Sequence, residues 1–271
     1  MRLSARVSRW YRRSGRSLPW RETRDPYAIL VSEVMLQQTQ AARVIPAYGA
    51  FLRRFPTLRD LARASLGDVL RAWSGLGYNR RARDLHRIAR ANPRALPRTL
   101  QGLDALPGVG AYTASAVACF ALGRRVAFAD TNIRRVLGRV FLGRIATPRE
   151  AVAIDAREMP ARGADRWHHA LMDIGALHCR TRDPVCSGCP LRPICRARGA
   201  GASGPARRQA PFATSDRRVR GRIVAVLARS ATFLDAAELR RRVGDERAAQ
   251  LAERLVAEGL VSRAGRRYGL P

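Results

Sequence analysis

Apolar residues recur at spacings of three and four along most of the chain, which is the periodicity of amphipathic helices. From residue 27 to residue 92 the pattern is interrupted at Pro46, at Pro56 and at Gly75-Leu76-Gly77, where we expect the helices to break. No segment before the C-terminus alternates in the manner of a β-strand. The pattern therefore predicts an all-α protein.

Three further segments have clear helix signals. Residues 147–150 predict a helix start, with Thr147 as the N-cap and Pro148 in the first helical position. Residues 166–178 predict a buried helix. Between residues 106 and 132, a turn with glycines at 108 and 110 opens an apolar helix, and its exposed backbone N–H groups would form an anion site.

The last quarter of the chain has its own organisation. Residues 196–215 are rich in Gly, Ala, Ser and Pro and cannot build a core, so we expect a linker at 201–215. Residues 216–271 predict three helices followed by a short two-stranded wing. This arrangement is typical of winged-helix modules that bind DNA, and a helical docking or dimerisation domain fits the same pattern.

The charge of the chain points to a polyanionic partner. With 271 residues, the chain can hold one large or two modest domains, and its formal net charge is +30. Nucleic acid is the first candidate for this partner. The alternatives are that the protein is associated with the ribosome, or that its arginine excess reflects codon usage and is simply solvated. All 51 basic residues are arginine. Covalent catalysis through a lysine Schiff base is therefore excluded, which leaves the N-terminal amine as the one substitute.

Four of the five cysteines form a compact pattern. No run approaches the eighteen or so apolar residues of a membrane helix, and the basic N-terminus lacks the apolar segment of a signal peptide. We therefore expect a cytoplasmic protein with reduced thiols. Cys179-x6-Cys186-x2-Cys189-x5-Cys195 can surround one soft metal centre. Structural zinc usually uses two Cys-x2-Cys pairs, so zinc is the lesser alternative. Cys119 is expected in the core.

Two carboxylates lie in apolar surroundings. Glu33 is part of the apolar run ILVSEVMLQQT, and burial without a cationic partner would let it hold a proton near neutral pH. Asp130 lies just before a predicted helix, whose N-terminus would favour the ionised form. One acidic and one ionised carboxyl group are what glycosidic cleavage requires. An ordinary N-cap and a satisfied core residue are the alternatives.

Five segments together resemble MutY-type adenine DNA glycosylases, members of the helix-hairpin-helix, endonuclease III superfamily. They are LPWRETRDPYAILVSEVMLQQTQAARVIP, GLGYNRRARDLH, LPGVGAYTA, ADTNIRRVLGR and the cysteine loop, and they span roughly residues 18–197. The resemblance implies a monofunctional glycosylase in base excision repair, which hydrolyses the N-glycosidic bond of adenine mispaired with 8-oxoguanine or guanine in double-stranded DNA. The 6-2-5 cysteine spacing resembles the loop that holds a 4Fe–4S cluster in this group.

The resemblance also implies roles for individual residues. Glu33 would protonate the leaving purine, Asp130 would stabilise the oxocarbenium sugar, and Asn132 would position Asp130. Tyr112 stands where bifunctional relatives carry a Schiff-base lysine. The residues expected to fill the base stack and contact the opposite base are Gln37, Gln38, Thr39, Leu76 and Tyr78. Those expected to line the pocket for the extruded base are Trp20, Arg21, Leu36 and His169, and those expected to grip the damaged strand are Gly108, Val109 and Gly110.

Two features depart from the family pattern. The usual Nudix-like C-terminal domain, which inspects 8-oxoguanine, does not fit into residues 216–271. Recognition of the oxidised guanine would then come from the catalytic domain or from the C-terminal unit, or be weaker. His169 occupies a position where an amide or a carboxylate is expected to read the adenine edge. Because histidine can donate or accept a hydrogen bond, it is compatible with adenine, and excision of a different base stays open as an alternative.

These observations predict a two-lobed helix-hairpin-helix glycosylase domain at 1–200. Its helical barrel lobe would cover about 21–125, and its cluster lobe 1–20 plus 126–200. We expect a monomer associated with the nucleoid. Two alternatives stay open, namely a monofunctional glycosylase for thymine or uracil opposite guanine on the same fold, and a non-catalytic iron–sulfur protein that binds DNA.

Overall fold

The computed structural model describes residues 3–198 and 212–271. Helices dominate this part of the chain, so the predicted all-α class is confirmed. Up to residue 177 the helices are α1 (Leu3–Ser14), α2 (Pro26–Leu36), α3 (Ala41–Arg54), α4 (Leu58–Arg63), α5 (Leu66–Ala72), α6 (Arg80–Ala91), α7 (Leu100–Asp104), α8 (Ala111–Phe120), α9 (Thr131–Leu142), α10 (Pro148–Glu158) and α11 (Ala164–Leu177). None of the helices described is long and apolar enough to cross a membrane.

The described residues form two compact units. The first contains residues 3–29, 98–105 and 109–198, and the second contains 30–97, 106–108 and 212–271. The predicted lobes at 21–125 and at 1–20 plus 126–200 stay predictions. Most of the predicted linker falls on residues 199–211, which lie outside the described part of the chain.

Short polar side chains fix the helix starts. Thr147 caps α10 and forms a capping box with Glu150, and Pro148 occupies the first turn, as predicted. Thr57 and Asp60 form the same box at the start of α4. Each box satisfies backbone N–H groups that a helix start leaves without intrahelical partners.

The expected helix break at Pro46 is wrong. Helix α3 continues through Pro46, although a proline inside a helix removes one backbone donor and costs about 3 kcal/mol. The helix persists because its apolar face buries Tyr48 and Phe51 in the core. The breaks at Pro56 and at Gly75–Gly77 are confirmed, since they separate α3 from α4 and α5 from α6.

In the first unit, α11 packs against α9 and α1, and α10 packs against α9. A fully buried carboxylate, Asp155, joins these helices to the segment before α9. It accepts hydrogen bonds from Trp167 Nε1 at 2.7 Å and from the backbone N–H of Phe128 at 3.1 Å, and His168 Nε2 lies 2.8 Å from it. The backbone that leads to Asp130 is therefore fixed two residues earlier.

In the second unit, α4 and α5 pack against α6 around a core that includes Phe51, Trp73, Leu85 and Ile88. The C-terminal part adds α12 (Asp216–Arg229), β1 (Leu234–Asp235), α13 (Ala236–Val243), α14 (Ala248–Ala257), β2 (Ser262–Ala264) and β3 (Arg267–Gly269). The predicted three helices and two-stranded wing are confirmed. Strand β1 pairs with β3 as well, which gives an antiparallel sheet of order β1-β3-β2. Helix α12 packs against α5.

Candidate active site

The predicted glycine turn precedes α8. Gly108 has a φ of +72°, in the left-handed region that favours glycine. Gly110 is the N-cap of α8, and nothing in the described structure lies within 4 Å of the place that a Cβ would occupy there. Both glycines are exposed, whereas Val109 is buried. The start of α8 is therefore accessible, and the partial positive charge of a helix N-terminus favours an anion such as a phosphate.

Asp130 is the N-cap of α9 and is half-buried. Its Oδ1 accepts a hydrogen bond from the backbone N–H of Ile133 at 2.7 Å, and its Oδ2 accepts one from Asn132 Nδ2 at 2.8 Å. Burial raises the pKa of Asp130, and the hydrogen bonds from Ile133 and Asn132 oppose this rise without cancelling it. The helix N-terminus therefore favours the ionised form through the backbone N–H of Ile133, while desolvation of the carboxylate has the larger effect on the pKa of Asp130.

Asn132 is held from its other side by Arg135. Its Oδ1 accepts a hydrogen bond from Arg135 at 2.7 Å, and the same guanidinium donates to the carbonyl oxygens of Gly175, at 2.7 Å, and Cys179. A Cβ on Gly175 would lie 2.5 Å from the Cβ of Asn132, so a larger residue would displace the asparagine. Hydrogen bonds thus connect the cysteine loop to Asp130. Arg135 was not predicted from the sequence, although its i,i+3 spacing from Asn132 was an available signal.

Tyr112 lies in the first turn of α8 and is half-buried. The edge of its ring packs against Phe128, with the ring centroids 5.6 Å apart and an interplanar angle of 78°. Phe128 precedes Asp130 by two residues. Tyr112, at the position where bifunctional relatives carry a Schiff-base lysine, therefore packs beside the segment that carries Asp130.

Glu33 lies on α2 with only 7% of its surface exposed. Val31 and Val34 on the same helix are also buried, so Glu33 is part of a buried stretch of α2, as the apolar run predicted. Glu33 belongs to the second unit, and the helix that carries it ends directly before Gln37.

Arg81 connects the two segments that were predicted to contact the opposite base. It is buried on α6, and burial lowers its pKa to about 10, so its guanidinium is still cationic at neutral pH. Its acceptors are the carbonyl oxygens of Val34, Met35, Gln37, Leu76 and Gly77 and the hydroxyl of Thr39. One buried cation therefore holds together the end of α2 and the turn before α6. Arg81 was not predicted from the sequence, since helical periodicity alone does not identify which arginine of GLGYNRRARDLH donates to distant carbonyl groups.

The side chains on these two segments differ in exposure. Gln38 is exposed and has a φ of +57°, and Tyr78 is 39% exposed with a φ of +48°. Leu76 is only 4% exposed, so in the described structure it is a core residue and Tyr78 is the side chain accessible to a ligand. Gln37 Nε2 donates to the carbonyl of Gly108 at 3.4 Å, which joins the end of α2 to the glycine turn.

Among the residues predicted for the base pocket, Arg21 forms a buried ion pair. Its two terminal nitrogens donate to the two oxygens of Asp173 at 2.8 Å each, and Arg16 Nε donates to the same carboxylate at 2.7 Å. Although burial raises the pKa of Asp173, the hydrogen bonds and charges of the two arginines lower it below its usual value. The terminal nitrogens of Arg21 are thus committed to Asp173, which makes this residue a support for α11. Trp20 is 6% exposed and Leu36 is half-buried.

His169 lies on α11 and stacks on Phe120, with the ring centroids 4.2 Å apart. Burial, and after it the charge of Arg21, lower the pKa of His169 to about 3. The imidazole is therefore neutral at neutral pH, with one nitrogen that donates and one that accepts. Such a ring can pair with the edge of a base without adding a charge.

The four cysteines predicted to bind a cluster line a single cavity in the first unit. Burial, and with it the proximity of Cys179, Cys186 and Cys195, raises the pKa of the Cys189 thiol to about 11. Arg139 donates to Cys179 Sγ at 3.4 Å. Cys119 is buried elsewhere, 3.7 Å from His168 Nδ1, so its predicted place in the core is confirmed.

The chemistry of these four thiols suits an iron–sulfur cluster. In the described ranges, no three His, Cys, Asp or Glu side chains are grouped as ligands of one metal ion. A 4Fe–4S cluster binds each of its thiolates through a different iron. Four soft thiolates that line one cavity, beside an arginine that offsets their charge, are ligands that such a cluster takes.

Comparisons with known proteins identify the family of the chain. Residues 31–159 match the HhH-GPD superfamily of base excision DNA repair proteins. The adenine DNA glycosylase of Mycobacterium tuberculosis is 45% identical over 97% of this chain and 91% of its own length. Human adenine DNA glycosylase is 43% identical over 70% of this chain and 38% of its own length. A solved thermostable thymine-DNA glycosylase has a TM-score of 0.64 at 29% identity, over 72% of this chain and 94% of that one. The chain therefore belongs to the adenine DNA glycosylase family within the HhH-GPD superfamily.

Proposed function

We propose that the protein is a monofunctional adenine DNA glycosylase, which acts in base excision repair on adenine mispaired with 8-oxoguanine or guanine in double-stranded DNA. The structural observation that carries this proposal is Asp130, whose two oxygens are fixed by Ile133 and Asn132 at the start of α9. A net charge of +30 supports a DNA substrate. Because the sequence has no lysine, the enzyme would release the base and leave the strand uncut.

The two carboxyl groups divide the chemistry between them. Protonated Glu33 gives its proton to a ring nitrogen of the leaving adenine, and the electrons of the N-glycosidic bond depart with the base. The ionised carboxylate of Asp130 stabilises the positive charge that develops on the sugar. Water then adds to the sugar carbon and returns a proton to Glu33, so the reaction is a hydrolysis.

Recognition uses groups outside the reacting bond. The hairpin at Gly108–Gly110 holds backbone phosphates. Gln37, Gln38, Thr39 and Tyr78 fill the stack beside the extruded nucleotide and contact the opposite base, while Trp20, Leu36 and His169 bind the extruded base itself. The protein acts as a monomer on nucleoid DNA.

The cysteine loop would hold a 4Fe–4S cluster through Cys179, Cys186, Cys189 and Cys195. When bound, the cluster supplies a rigid support for the loop and no redox chemistry on the substrate. Arg139 offsets the charge of the thiolates, and Arg135 connects the loop to Asn132. A fixed loop therefore contributes to the placement of Asp130.

A base-release assay tests the function directly. Duplexes with adenine opposite 8-oxoguanine or guanine, and with thymine or uracil opposite guanine, would be incubated with the protein, and strand breaks read with and without alkali. We expect adenine release and breaks that need alkali. Release of thymine or uracil alone would overturn the adenine assignment, and binding without any release would indicate a DNA-binding protein that is not an enzyme.

A second function, excision of thymine or uracil opposite guanine, is favoured by one observation. His169, which is neutral, stands where a group that reads the adenine edge is expected, and it can pair with either kind of base. The solved thymine-DNA glycosylase with a TM-score of 0.64 has the same fold. The same four duplexes separate the two functions.

A further inference from the structure

Residues 212–271 contact α5, the helix that precedes the turn at residues 73–79, which carries Tyr78. Helix α12 packs against α5. At the start of α5, the backbone N–H of Gly67 donates to the carbonyl of Pro271 at 2.7 Å. A Cβ on Gly67 would lie 2.6 Å from that oxygen, so a side chain at this position would separate α5 from the C-terminal residues.

The C-terminal residues also contact α6, the helix that follows the same turn. Glu258, at the end of α14, accepts hydrogen bonds from Arg80 at 2.8 Å and from Arg220 at 2.6 Å. Its backbone carbonyl accepts another from Arg83. Arg80 and Arg83 are in the first turn of α6, so the helices on both sides of the turn that carries Tyr78 contact the C-terminal residues.

Tyr78 itself is in contact with α12. Arg217, in the first turn of α12, donates to the Tyr78 hydroxyl oxygen at 2.9 Å. The Tyr78 ring lies 5.3 Å from the guanidinium of Arg81. Because the hydroxyl oxygen accepts from a cation, its own proton is left to donate outward, and the charge-assisted bond strengthens that donor.

We propose that Arg217 is a positioning residue for Tyr78, through which the C-terminal unit takes part in discriminating the base opposite adenine. Arg217 acts by orienting the Tyr78 hydroxyl and does not itself touch the base. This inference rests on the proposed function in one respect, namely that Tyr78 contacts the opposite base. It gives residues 212–271 a part in substrate selection that requires no base-binding pocket of their own.

The test compares Arg217→Met with Arg229→Met. Both arginines are exposed on α12, and both substitutions remove one positive charge. Affinities are measured in the Asp130→Asn background for adenine opposite 8-oxoguanine, adenine opposite guanine and a fully paired duplex. We expect Arg217→Met to reduce the preference for 8-oxoguanine over guanine about three- to tenfold, the effect of one hydrogen bond, and Arg229→Met to leave it unchanged.

A double-mutant cycle with Tyr78→Phe decides whether the effect passes through the hydroxyl. We expect Arg217→Met to have no further effect on the preference once the hydroxyl is absent. An equal loss of affinity for all three duplexes, additive with Tyr78→Phe, would instead make Arg217 a phosphate contact and overturn the proposal. Arg217→Lys, which keeps the charge and a donor, should restore most of the preference.

The same measurements separate this inference from the proposed function. Base release by the native protein tests the adenine glycosylase activity, whereas the affinity ratios need no catalysis. If no adenine is released but the ratio still depends on Arg217 and on the Tyr78 hydroxyl, the activity is wrong and the inference stands. If adenine is released and Arg217→Met, with an unchanged melting temperature, keeps the native ratio, the inference is wrong.

Discussion

Asn132 donates a hydrogen bond of 2.8 Å to the carboxylate of Asp130, two residues before it on the same helix start. The other carboxylate oxygen accepts from the N–H of Ile133 at 2.7 Å, so the N-cap interaction that begins α9 also orients the candidate catalytic group. Because both oxygens are already held, the carboxylate needs little reorganisation when positive charge develops nearby, which is the basis of electrostatic preorganisation.

The first prediction concerns the charge of Asp130. Asp130→Asn preserves the size of the side chain and its capacity to cap α9, but it removes the negative charge. We expect single-turnover release of adenine to fall about 100- to 1,000-fold while duplex affinity is retained. Asp104→Asn, an exposed carboxylate of the same unit, is the control. Undiminished release by Asp130→Asn would remove Asp130 from the mechanism.

The same substitution should change how stability depends on pH. A raised pKa means that folded Asp130 keeps its proton to a higher pH than the unfolded chain, in which the value is near 3.8. The contribution of Asp130 to the free energy of unfolding therefore decreases as pH rises from 3.8 through the folded pKa. The Asp130→Asn variant has no carboxyl group to titrate at this position. The difference in free energy of unfolding, variant minus native, should therefore increase across that pH window, and the increase should persist at pH 7. Urea unfolding at several pH values measures the difference, and parallel curves would contradict the prediction.

Local signals allowed much of the fold to be predicted. Thr147 and Pro148 fix a helix start within one turn, and the glycine turn before α8 needs a left-handed residue at position 108. The cysteine spacing predicts that the four thiols lie together, and they line one cavity. Each of these features depends on residues close together in sequence. The predicted wing at 261–271 formed for the same reason, whereas β1, which has only two residues, gave no pattern.

The features that were missed depend on distant parts of the chain. Proline at position 46 stays helical because α3 buries its apolar face. Among 51 arginines, Arg81 is distinguished only by carbonyl groups that the fold brings to it. Arg135 has a local partner in Asn132, but its bonds to the cysteine loop and to Gly175 depend on the fold. The raised pKa of Asp130 follows from burial, which overcomes the helix N-terminus that the sequence made visible. Periodicity and spacing carry no information on these long-range environments.

A third prediction follows from the six acceptors of Arg81. Arg81→Met leaves buried carbonyl groups without a donor, and we expect the free energy of unfolding to fall by about 2–4 kcal/mol. Arg87→Met is the matched control, because Arg87 is on the same helix with its side chain 58% exposed. That control should change stability by less than about 0.5 kcal/mol. Equal urea midpoints for the two variants would show that Arg81 does not stabilise this region.

The cysteines provide a fourth prediction with an internal control. The native protein should be brown, with broad absorption near about 400 nm from iron–sulfur charge transfer. Cys189→Ser should lose this absorption together with iron and sulfide, because Cys189 lines the cavity shared by the other three thiols. Cys119→Ser should keep it, since Cys119 is a core residue beside His168. A colourless native preparation with stoichiometric zinc would contradict the cluster assignment.

The last prediction concerns how the extruded base is read. With a pKa of about 3, His169 does not titrate between pH 5 and pH 8. A plot of activity against pH should therefore show no rise or fall in that range that is caused by ionisation of this residue. His169→Asn keeps a donor and an acceptor, whereas His169→Phe keeps only the stacking on Phe120. If His169 pairs with adenine, kcat/KM for adenine release should fall about five- to a hundredfold in the Phe variant and much less in the Asn variant. Equal rates for both variants would mean that His169 does not read the base.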